Sequence, residues 1–254
     1  MRIICLSAEA ADICARLGAW EDVIAVNAFT SFENLAPKPI IGGFSTLDSE
    51  RVANLAPDLV ITFSDVQAEF AAQLIRAGCT VLATNQRSLD EITATIHLIG
   101  GAIGRCGAAE KLAAEFVETL RSLATDAGPW PRVYFEEWPD PPVSGIGWVG
   151  ELIERAGGID VFADRRGKSA RERTVTPDQI IRANPQIILA SWCGKHVSLD
   201  SIRRRPGFDV LDAVKTGQLH TLDSGILLQP GPRLLRGAQE IRRILDAWRA
   251  STGT

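Results

Sequence analysis

Two adjacent carboxylates, Glu136 and Glu137, follow a short apolar strand near the middle of the chain and could in principle act as a general acid and base. Neighbouring residues of a strand point to opposite faces, so these two side chains cannot share one substrate. They are therefore predicted to fix the local backbone or to contact a ligand. Glu137 is a candidate of the second kind.

Motifs of other enzyme classes do not occur in the sequence. It contains no Gly-x-Ser-x-Gly elbow, no phosphate loop and no Gly-x-Gly-x-x-Gly after its first strand. The glycines of 100–104 lie inside a helical pattern, which indicates helix packing. No catalytic residue is predicted, and binding is favoured over catalysis. The alternative is a chelatase-like or other enzyme that uses Glu136, Glu137 or His196.

Metal-ligating residues are scattered along the chain. Three histidines and five cysteines occur, with no Cys-x-x-Cys pair: His97, His196, His220, Cys5, Cys14, Cys79, Cys106 and Cys193. Such spacing argues against a zinc ribbon or a dithiol redox site. No metal site is predicted, and the cysteines are expected to be buried free thiols.

The composition excludes several partner classes. The chain has 254 residues, a net charge of −4 and 23% charged residues. An acidic balance is unsuited to nucleic acid as the main partner. No apolar run approaches the roughly 20 residues that span a bilayer. The opening residues 1–7 lack the pattern of a signal peptide and indicate a first strand.

Hydrophobic periodicity predicts strands and helices that alternate along the first half. Strands are expected at 3–6, 23–26, 59–63 and 80–83, and helices at 9–17, 49–55 and 68–77. Later strands are predicted at 133–135, 187–190 and 219–222, with a final helix over 233–249. This alternation is typical of an α/β fold.

An internal repeat relates the two halves of the chain. Residues 48–61 can be laid on 176–189 with a constant offset of 128, and each copy carries a helix N-cap, a helix-ending Pro and a buried strand. Thr176 and Gln179 form a capping box with Pro at the first helical position. The sequence thus predicts two Rossmann-like lobes with mostly parallel sheets.

A helical segment separates the predicted lobes. The expected domains are an N-terminal lobe at 1–87, a linking segment at 88–128 and a C-terminal lobe at 129–254. Within the segment, a helix over 108–127 would extend about 30 Å. It is predicted to act as a rigid strut, with a ligand cleft between the lobes.

The stretch 134–148 combines aromatic residues with three prolines and is predicted to form a loop at the rim of a binding site. Trp138 is the expected ligand contact, whereas Trp148 is expected in the core at the start of a helix. In the basic run 165–173, a solvated loop is the plain interpretation. The sharper one is that Arg173 faces an anionic ligand group.

Ligands of open α/β sheets bind beyond the carboxyl ends of the strands. The residues predicted to contact a ligand there are mostly aromatic or apolar: Phe32, Phe44, Phe63, Glu137, Trp138, Trp192, Leu228 and Gln229. Such a set favours a large, partly apolar ligand.

Several motifs resemble those of cobalamin-binding substrate-binding proteins of ABC transporters, within the helical-backbone class of periplasmic binding proteins. The motifs are Val52-x-x-Leu55-x-Pro57-Asp58-Leu59-Val60-Ile61, Val133-Tyr134-Phe135-Glu136-Glu137-Trp138, Ser144-Gly145-Ile146-Gly147-Trp148, Ala190-Ser191-Trp192-Cys193-Gly194, Arg205-Pro206-Gly207-Phe208 and Leu228-Gln229-Pro230-Gly231-Pro232. Together they span nearly the whole chain.

The resemblance implies two Rossmann-like lobes joined by one long helix and a corrinoid ligand, with no cofactor required. Aromatic residues would hold the corrinoid, here Phe44, Phe63, Trp138 and Trp192. A ferric siderophore or haem is the alternative ligand.

The same resemblance implies a monomeric protein that delivers its ligand to an ABC permease and ATPase. One surface carboxylate of each lobe would dock on the permease, here Glu69 and Asp209. The family also implies a periplasmic location. A cytoplasmic one is the alternative, because the opening residues lack a signal peptide.

Overall fold

The computed structural model of the chain describes residues 1–32, 34–43, 46–125, 128–167 and 169–253. The chain divides into two compact units. Unit 1 comprises residues 1–86, 90–117 and 230–232, and unit 2 comprises 87–89, 118–229 and 233–254. Each unit contains one mostly parallel sheet with helices, which confirms the predicted α/β class.

Unit 1 is built on a four-stranded parallel sheet. Its strands are β1 (Ile3–Cys5), β2 (Val23–Val26), β3 (Leu59–Phe63) and β4 (Val81–Thr84), in the order β2-β1-β3-β4. The two central strands, β1 and β3, are buried along their whole length, as their unbroken apolar runs predict. All four strands lie within one or two residues of their predicted bounds.

The helices that accompany this sheet among the described residues are α1 (Ala8–Arg16), α2 (Ser49–Asn54), α3 (Ala68–Arg76), α4 (Leu89–Ala102) and α5 (Cys106–Ser122). Helix α5 begins two residues before the predicted strut helix and ends five residues earlier, while residues 126 and 127 of that prediction lie outside the described residues. A Cβ at Gly100 would collide with Ala109, so this glycine permits the close packing of α4 and α5 that its pattern indicated.

Unit 2 contains a five-stranded sheet. Its strands are β5 (Arg132–Pro139), β6 (Pro142–Ser144), β7 (Ile159–Asp160), β8 (Ile187–Ala190) and β9 (Leu219–Thr221). The order is β6-β5-β8-β9, and β7 pairs with the start of β5. All pairings are parallel except that of β5 with β6.

The antiparallel pair corrects one prediction. The stretch after Phe135 was expected to be a loop, yet β5 continues to Pro139 and a tight turn leads into β6. Proline lacks an N–H donor, but it is tolerated at strand ends and on edge strands. Pro139 and Pro142 face each other at the end of this hairpin, and β6 is the edge strand, so neither one interrupts a central strand.

In the described part of unit 2, the helices are α6 (Gly147–Arg155), α7 (Ala170–Arg173), α8 (Pro177–Ala183), α9 (Leu199–Arg203), α10 (Asp212–Lys215), α11 (Ser224–Leu227) and α12 (Leu234–Ser251). Trp148 is buried in the first turn of α6 and donates from Nε1 to the carbonyl of Leu227 at 2.8 Å. Its predicted place in the core is confirmed.

The repeat predicted from the sequence is present in both sheets. Strand β1 pairs with β3 and strand β5 pairs with β8, in parallel and with the same register relative to the repeat. The main chains agree as well. The N–H of Asp58 donates to the carbonyl of Arg2, and the N–H of Gln186, 128 residues later, donates to that of Arg132, both at 2.8 Å.

The arginines that open the two sheets play equivalent parts. Arg2 donates from Nε to the carbonyl of Ala56, and Arg132 donates from Nε to the carbonyl of Asn184. Ala56 and Asn184 both have positive φ angles, 45° and 40°. In each unit an arginine thus satisfies a carbonyl at the helix end that precedes the second central strand.

The thiols are only partly as expected. Cys5 and Cys14 are buried in unit 1 with their Sγ atoms 3.9 Å apart, but Cys106 and Cys193 are exposed, which corrects the prediction for these two. Cys106 is the first residue of α5, and Cys193 lies in the loop after β8. The small size of Cys permits either a buried or an exposed location. None of the described helices combines the length and the hydropathy needed to cross a bilayer.

Candidate functional site

The carboxyl edge of the unit 1 sheet carries Phe63, the last residue of β3. Its ring is 7% exposed, and its N–H donates to Oε1 of Gln67 at 2.9 Å. Gln67 Nε2 in turn donates to the carbonyl of Leu6, at the end of β1. The amide of Gln67 therefore ties the ends of two neighbouring strands together and fixes the backbone of Phe63.

Phe32 belongs to the loop after β2. It is half-buried and meets Trp20 edge-on, with ring centroids 5.2 Å apart. Trp20 is itself fixed, because its Nε1 donates to the carbonyl of Ala36 at 3.0 Å. Phe29 of the same loop is 53% exposed. Phe44, a further predicted contact, lies outside the described residues.

The carboxyl edge of the unit 2 sheet contains a buried charge. Glu136, in β5, is 0% exposed, and both of its carboxylate oxygens accept hydrogen bonds from Arg205. Tyr134 donates its hydroxyl to Oε2 at 3.1 Å, and Trp192 donates Nε1 to Oε1 at 3.0 Å. The carboxylate is thus neutralised and satisfied, as a buried charge requires.

Titration of the neighbouring groups follows from this arrangement. Burial, and then the Glu136 charge, raise the pKa of Tyr134 well above its usual value, so this phenol stays a hydrogen-bond donor. Burial works to lower the pKa of Arg205, but the hydrogen bonds and charge of Glu136 outweigh it and the pKa is raised. The network is therefore an ion pair whose carboxylate also accepts hydrogen bonds from two neutral donors, Tyr134 and Trp192.

Glu137 makes a second bidentate pair on the other face of β5. Its oxygens accept from Nη1 and Nη2 of Arg173 at 2.5 and 3.0 Å, and Nη1 also donates to the carbonyl of Ser144. Arg173 is buried, so it is not part of a solvated loop. It faces a carboxylate of the protein itself and holds β5, β6 and α7 together.

Trp138 directly follows Glu137 in β5. It is half-buried, and its Nε1 donates to the carbonyl of Asp140 at 3.0 Å. The ammonium of Lys195 lies over the ring, 3.9 Å from the centroid. Trp192, the other predicted aromatic contact of this unit, is buried and anchored on Glu136.

The segment after α11 provides the last predicted contacts. Leu228 and Gln229 are both half-buried. The Oε1 atom of Gln229 is buried and accepts no hydrogen bond from the described residues. A buried amide oxygen without a hydrogen-bond donor carries an uncompensated desolvation cost, so this atom can accept a hydrogen bond from an added group.

A cavity of about 300 Å³ opens beside the ends of β8 and β9. Two aliphatic side chains line it together with one indole, one ammonium, one imidazole, one carboxylate and two hydroxyl groups: Trp192, Lys195, His196, Asp223, Thr221 and Ser224. Most of these groups can donate or accept hydrogen bonds, so the lining is more polar than apolar.

Comparison with known proteins identifies the family to which this fold and site belong. The family model described as periplasmic binding protein matches residues 3–225, most of the chain. The chain belongs to the periplasmic binding protein family. The resemblance noted in the motifs is thereby confirmed at the level of the family.

Relatives of this binding protein cover it almost completely. An uncharacterized ABC transporter substrate-binding lipoprotein of Bacillus subtilis, YvrC, is 26% identical over 94% of this chain and 78% of its own length. A vitamin B12-binding protein of Vibrio cholerae is 25% identical over 94% of this chain and 87% of its own. The periplasmic heme-binding protein RhuT of Roseiflexus sp. RS-1, in apo form, is 26% identical. It has a TM-score of 0.82, covering 96% of this chain and 97% of that one.

The remaining predicted residues of this binding protein are exposed at the surface. The Glu69 side chain is 77% exposed in the first turn of α3, with Arg76 Nη1 at 3.5 Å, and Asp209 is exposed as well. His196 is exposed at the cavity. No group of three His, Cys, Asp or Glu side chains among the described residues could hold a metal ion.

Sequence reasoning missed Arg205 and Lys195. Arg205 is part of a motif but was not predicted to belong to the site. A glutamate next to a buried strand needs a cationic partner, and this need is the signal that points to Arg205. Lys195 carries no comparable signal. It is 57 residues from Trp138 in sequence, and only the pairing of β5 with β8 brings the two together.

Proposed function

We propose that this chain is a non-enzymatic substrate-binding protein that captures a corrinoid similar to cobalamin for delivery to an ABC importer. The observation that carries the proposal is the pair of aromatic residues at the carboxyl ends of strands, Phe63 in unit 1 and Trp138 in unit 2. The likeness to the vitamin B12-binding protein of Vibrio cholerae, over 94% of the chain, supports a corrinoid.

The chemistry of these residues suits a large macrocycle. Aromatic rings contribute much apolar contact area at little cost in conformational entropy. The Trp138 side chain is held by its hydrogen bond to the Asp140 carbonyl, and the backbone of Phe63 is held by the Gln67 amide. Groups fixed before the ligand arrives lose little freedom on binding, which favours affinity.

The charged residues of the same edge support binding over catalysis. Glu136 and Glu137, the candidate acid and base, each accept two hydrogen bonds from an arginine. Both carboxylates are thus engaged in ion pairs within the protein and do not face a ligand as an acid–base pair. The relatives are likewise binding proteins by name, one an ABC transporter substrate-binding lipoprotein and the other a vitamin B12-binding protein.

A haem or a ferric siderophore is the second candidate ligand. The likeness to the heme-binding protein of Roseiflexus, at 26% identity, favours haem in particular. Both are metal chelates with apolar faces, so the same aromatic residues would serve. Titration of the protein with ligands of both classes separates the two candidates.

We further propose that the protein acts as a monomer outside the cytoplasmic membrane, with an ABC permease and ATPase as partners. No cofactor is required for this role. Glu69 and Asp209 would each pair with a basic residue of the permease, and their exposure is compatible with this docking. The lipoprotein relative of Bacillus subtilis supports a location at the membrane surface.

Isothermal titration calorimetry tests the ligand. The purified protein is titrated with cobalamin, cobinamide, hemin and a ferric siderophore. Binding of a corrinoid and a weaker affinity of Trp138→Ala are expected. Trp130→Ala is the matched control, because Trp130 is exposed just before the amino end of the strand that carries Trp138. No heat and no spectral change with any corrinoid at high micromolar concentration would overturn the proposal.

A further inference from the structure

The charged side chains at the carboxyl edge of the unit 2 sheet differ in whether they form ion pairs. Two carboxylates there, Glu136 and Glu137, are each paired with an arginine. The ammonium of Lys195 has no carboxylate within ion-pair distance in the described part of the chain, and its contact is the ring of Trp138. Lys195 is therefore a cation whose charge is left available.

The contact that Lys195 does make is easily exchanged. A cation–π contact at a solvent-accessible residue is weaker than a charge-assisted hydrogen bond to a carboxylate or phosphate. Lys195 is exposed and sits on a flexible four-carbon stem. Its ammonium can leave the ring for an anionic group without disturbing the backbone.

The cavity lined by Lys195 limits what that group belongs to. At about 300 Å³ it lies at the lower end of the range for small-molecule pockets. A macrocyclic chelate does not fit such a volume, whereas one of its side arms does. The hydroxyl groups of Thr221 and Ser224 and the imidazole of His196 supply further donors along the wall.

One carboxylate opposes an anion in this cavity. Asp223 lines it as well, and its Oδ1 accepts the N–H of Gly225 at 2.8 Å as the N-cap of α11. This bond commits one oxygen to the backbone but leaves the charge in place. An anionic arm should therefore approach from the Lys195 side, and removal of the Asp223 charge should strengthen its binding.

We propose that Lys195 recognises an anionic oxygen group, a carboxylate or a phosphodiester, on a side arm of the ligand that lies in the cavity beside Trp138. The inference rests on the proposed function, because it assigns part of the specificity of the same site. Transfer of the ammonium to this group uncovers the ring of Trp138 for the macrocycle. A neutral ligand offers the ammonium of Lys195 no anionic group to which it can transfer.

A ligand series of graded charge tests the proposal by calorimetry. Cobalamin carries a phosphodiester, cobinamide lacks it, cobyrinic acid carries free carboxylates and hemin carries two. Lys195→Met keeps the length of the side chain and removes its charge. Lys215→Met is the matched control, because Lys215 is an exposed lysine at the end of α10, before the amino end of β9.

Lys195→Met should weaken the anionic ligands by about tenfold or more and cobinamide by no more than about twofold. Asp223→Asn, which retains the capping oxygen, should tighten the anionic ligands. Equal losses for charged and neutral ligands, or no loss at all, would overturn the role of Lys195 while leaving the binding function intact. Loss with cobyrinic acid alone assigns the group to a carboxylate, and loss with cobalamin alone assigns it to the phosphodiester.

A measurement without any macrocycle keeps the two proposals distinguishable. Acetate or inorganic phosphate should change the tryptophan fluorescence of the wild-type protein relative to chloride at equal ionic strength, as the ammonium leaves the Trp138 ring. The change should be absent in Lys195→Met and in Trp138→Phe. If no macrocycle binds but this change occurs, the corrinoid function falls and the anion site stands. Without the change, the anion site falls.

Discussion

Arg205 donates two hydrogen bonds to the carboxylate of Glu136, 69 residues earlier in the chain, and closes a buried ion pair at the carboxyl edge of the second sheet. The pair joins β5 to the segment after α9. Trp192 donates to the same carboxylate, so the loop after β8 is fixed by this charge as well. The position of Trp192 thus depends on the buried ion pair of Glu136 and Arg205.

Replacement of Glu136 should be strongly destabilising. In Glu136→Gln the guanidinium of Arg205 loses its counter-charge, and breaking a buried pair in this way costs about 3–5 kcal/mol. Urea unfolding followed by circular dichroism measures the change. The double variant Glu136→Gln/Arg205→Met should lose less than the sum of the two single variants, because it leaves no unpaired charge. Additive losses would show that the pair is not coupled.

Much of the fold could be predicted because its signals are local. The capping box of Thr176 and Gln179 and the apolar run of β3 are set by residues close in sequence, and both lie where expected. The internal repeat could be predicted because similar local sequence patterns form similar helices and strands. The hairpin of β5 and β6 was missed because three prolines suggested a loop. They are tolerated because Pro139 ends β5, Pro141 lies in the turn and Pro142 opens the edge strand β6.

The candidate site was less predictable, because its contacts join distant residues. Trp192 was chosen as a ligand contact from its place after a strand, but sequence spacing does not show that its indole donates to Glu136. The partner of Glu137 is Arg173, which is 36 residues away in sequence. Strands β6 and β7 and helix α6 lie between them. Which side chains remain available for a ligand depends on such pairings.

The helix caps of the two repeats should contribute equally to stability. Asp48 accepts the N–H groups of Glu50 and Arg51, and Thr176 accepts that of Gln179. Asp48→Ala and Thr176→Ala should each lower the free energy of unfolding by about 1 kcal/mol. Ser7→Ala is the control, since Ser7 is the N-cap of α1 but its side chain makes no capping bond. A similar loss in Ser7→Ala would refute the assignment.

Backbone conformation gives a prediction of the opposite sign. Ala56 has a φ of 45°, a left-handed conformation that disfavours any residue with a Cβ. Ala56→Gly should therefore stabilise the protein, by about 0.5 kcal/mol after the added entropy of the unfolded chain is subtracted. Ala77→Gly, at a helix end with a φ of −80°, should destabilise it instead. Thermal unfolding of the two variants checks the difference in sign.

Stability should also fall as pH is lowered through the titration of His220. Burial, and then the charge of Arg243, lower the pKa of this imidazole below its ordinary value of 6.5. The folded state therefore favours the neutral ring, which shares a hydrogen bond of 3.0 Å with Gln218. Its contribution is fully present above the unfolded pKa and is lost as pH falls toward the folded one.

Urea unfolding at a series of pH values between about 7.5 and 5 measures this slope. His220→Gln should flatten it, because the group that takes up a proton more readily in the unfolded chain is gone. His97→Gln, at an exposed position of α4, is the control for the loss of a histidine as such. An equal slope in wild type and His220→Gln would show that burial of this ring does not govern the acid sensitivity of the protein.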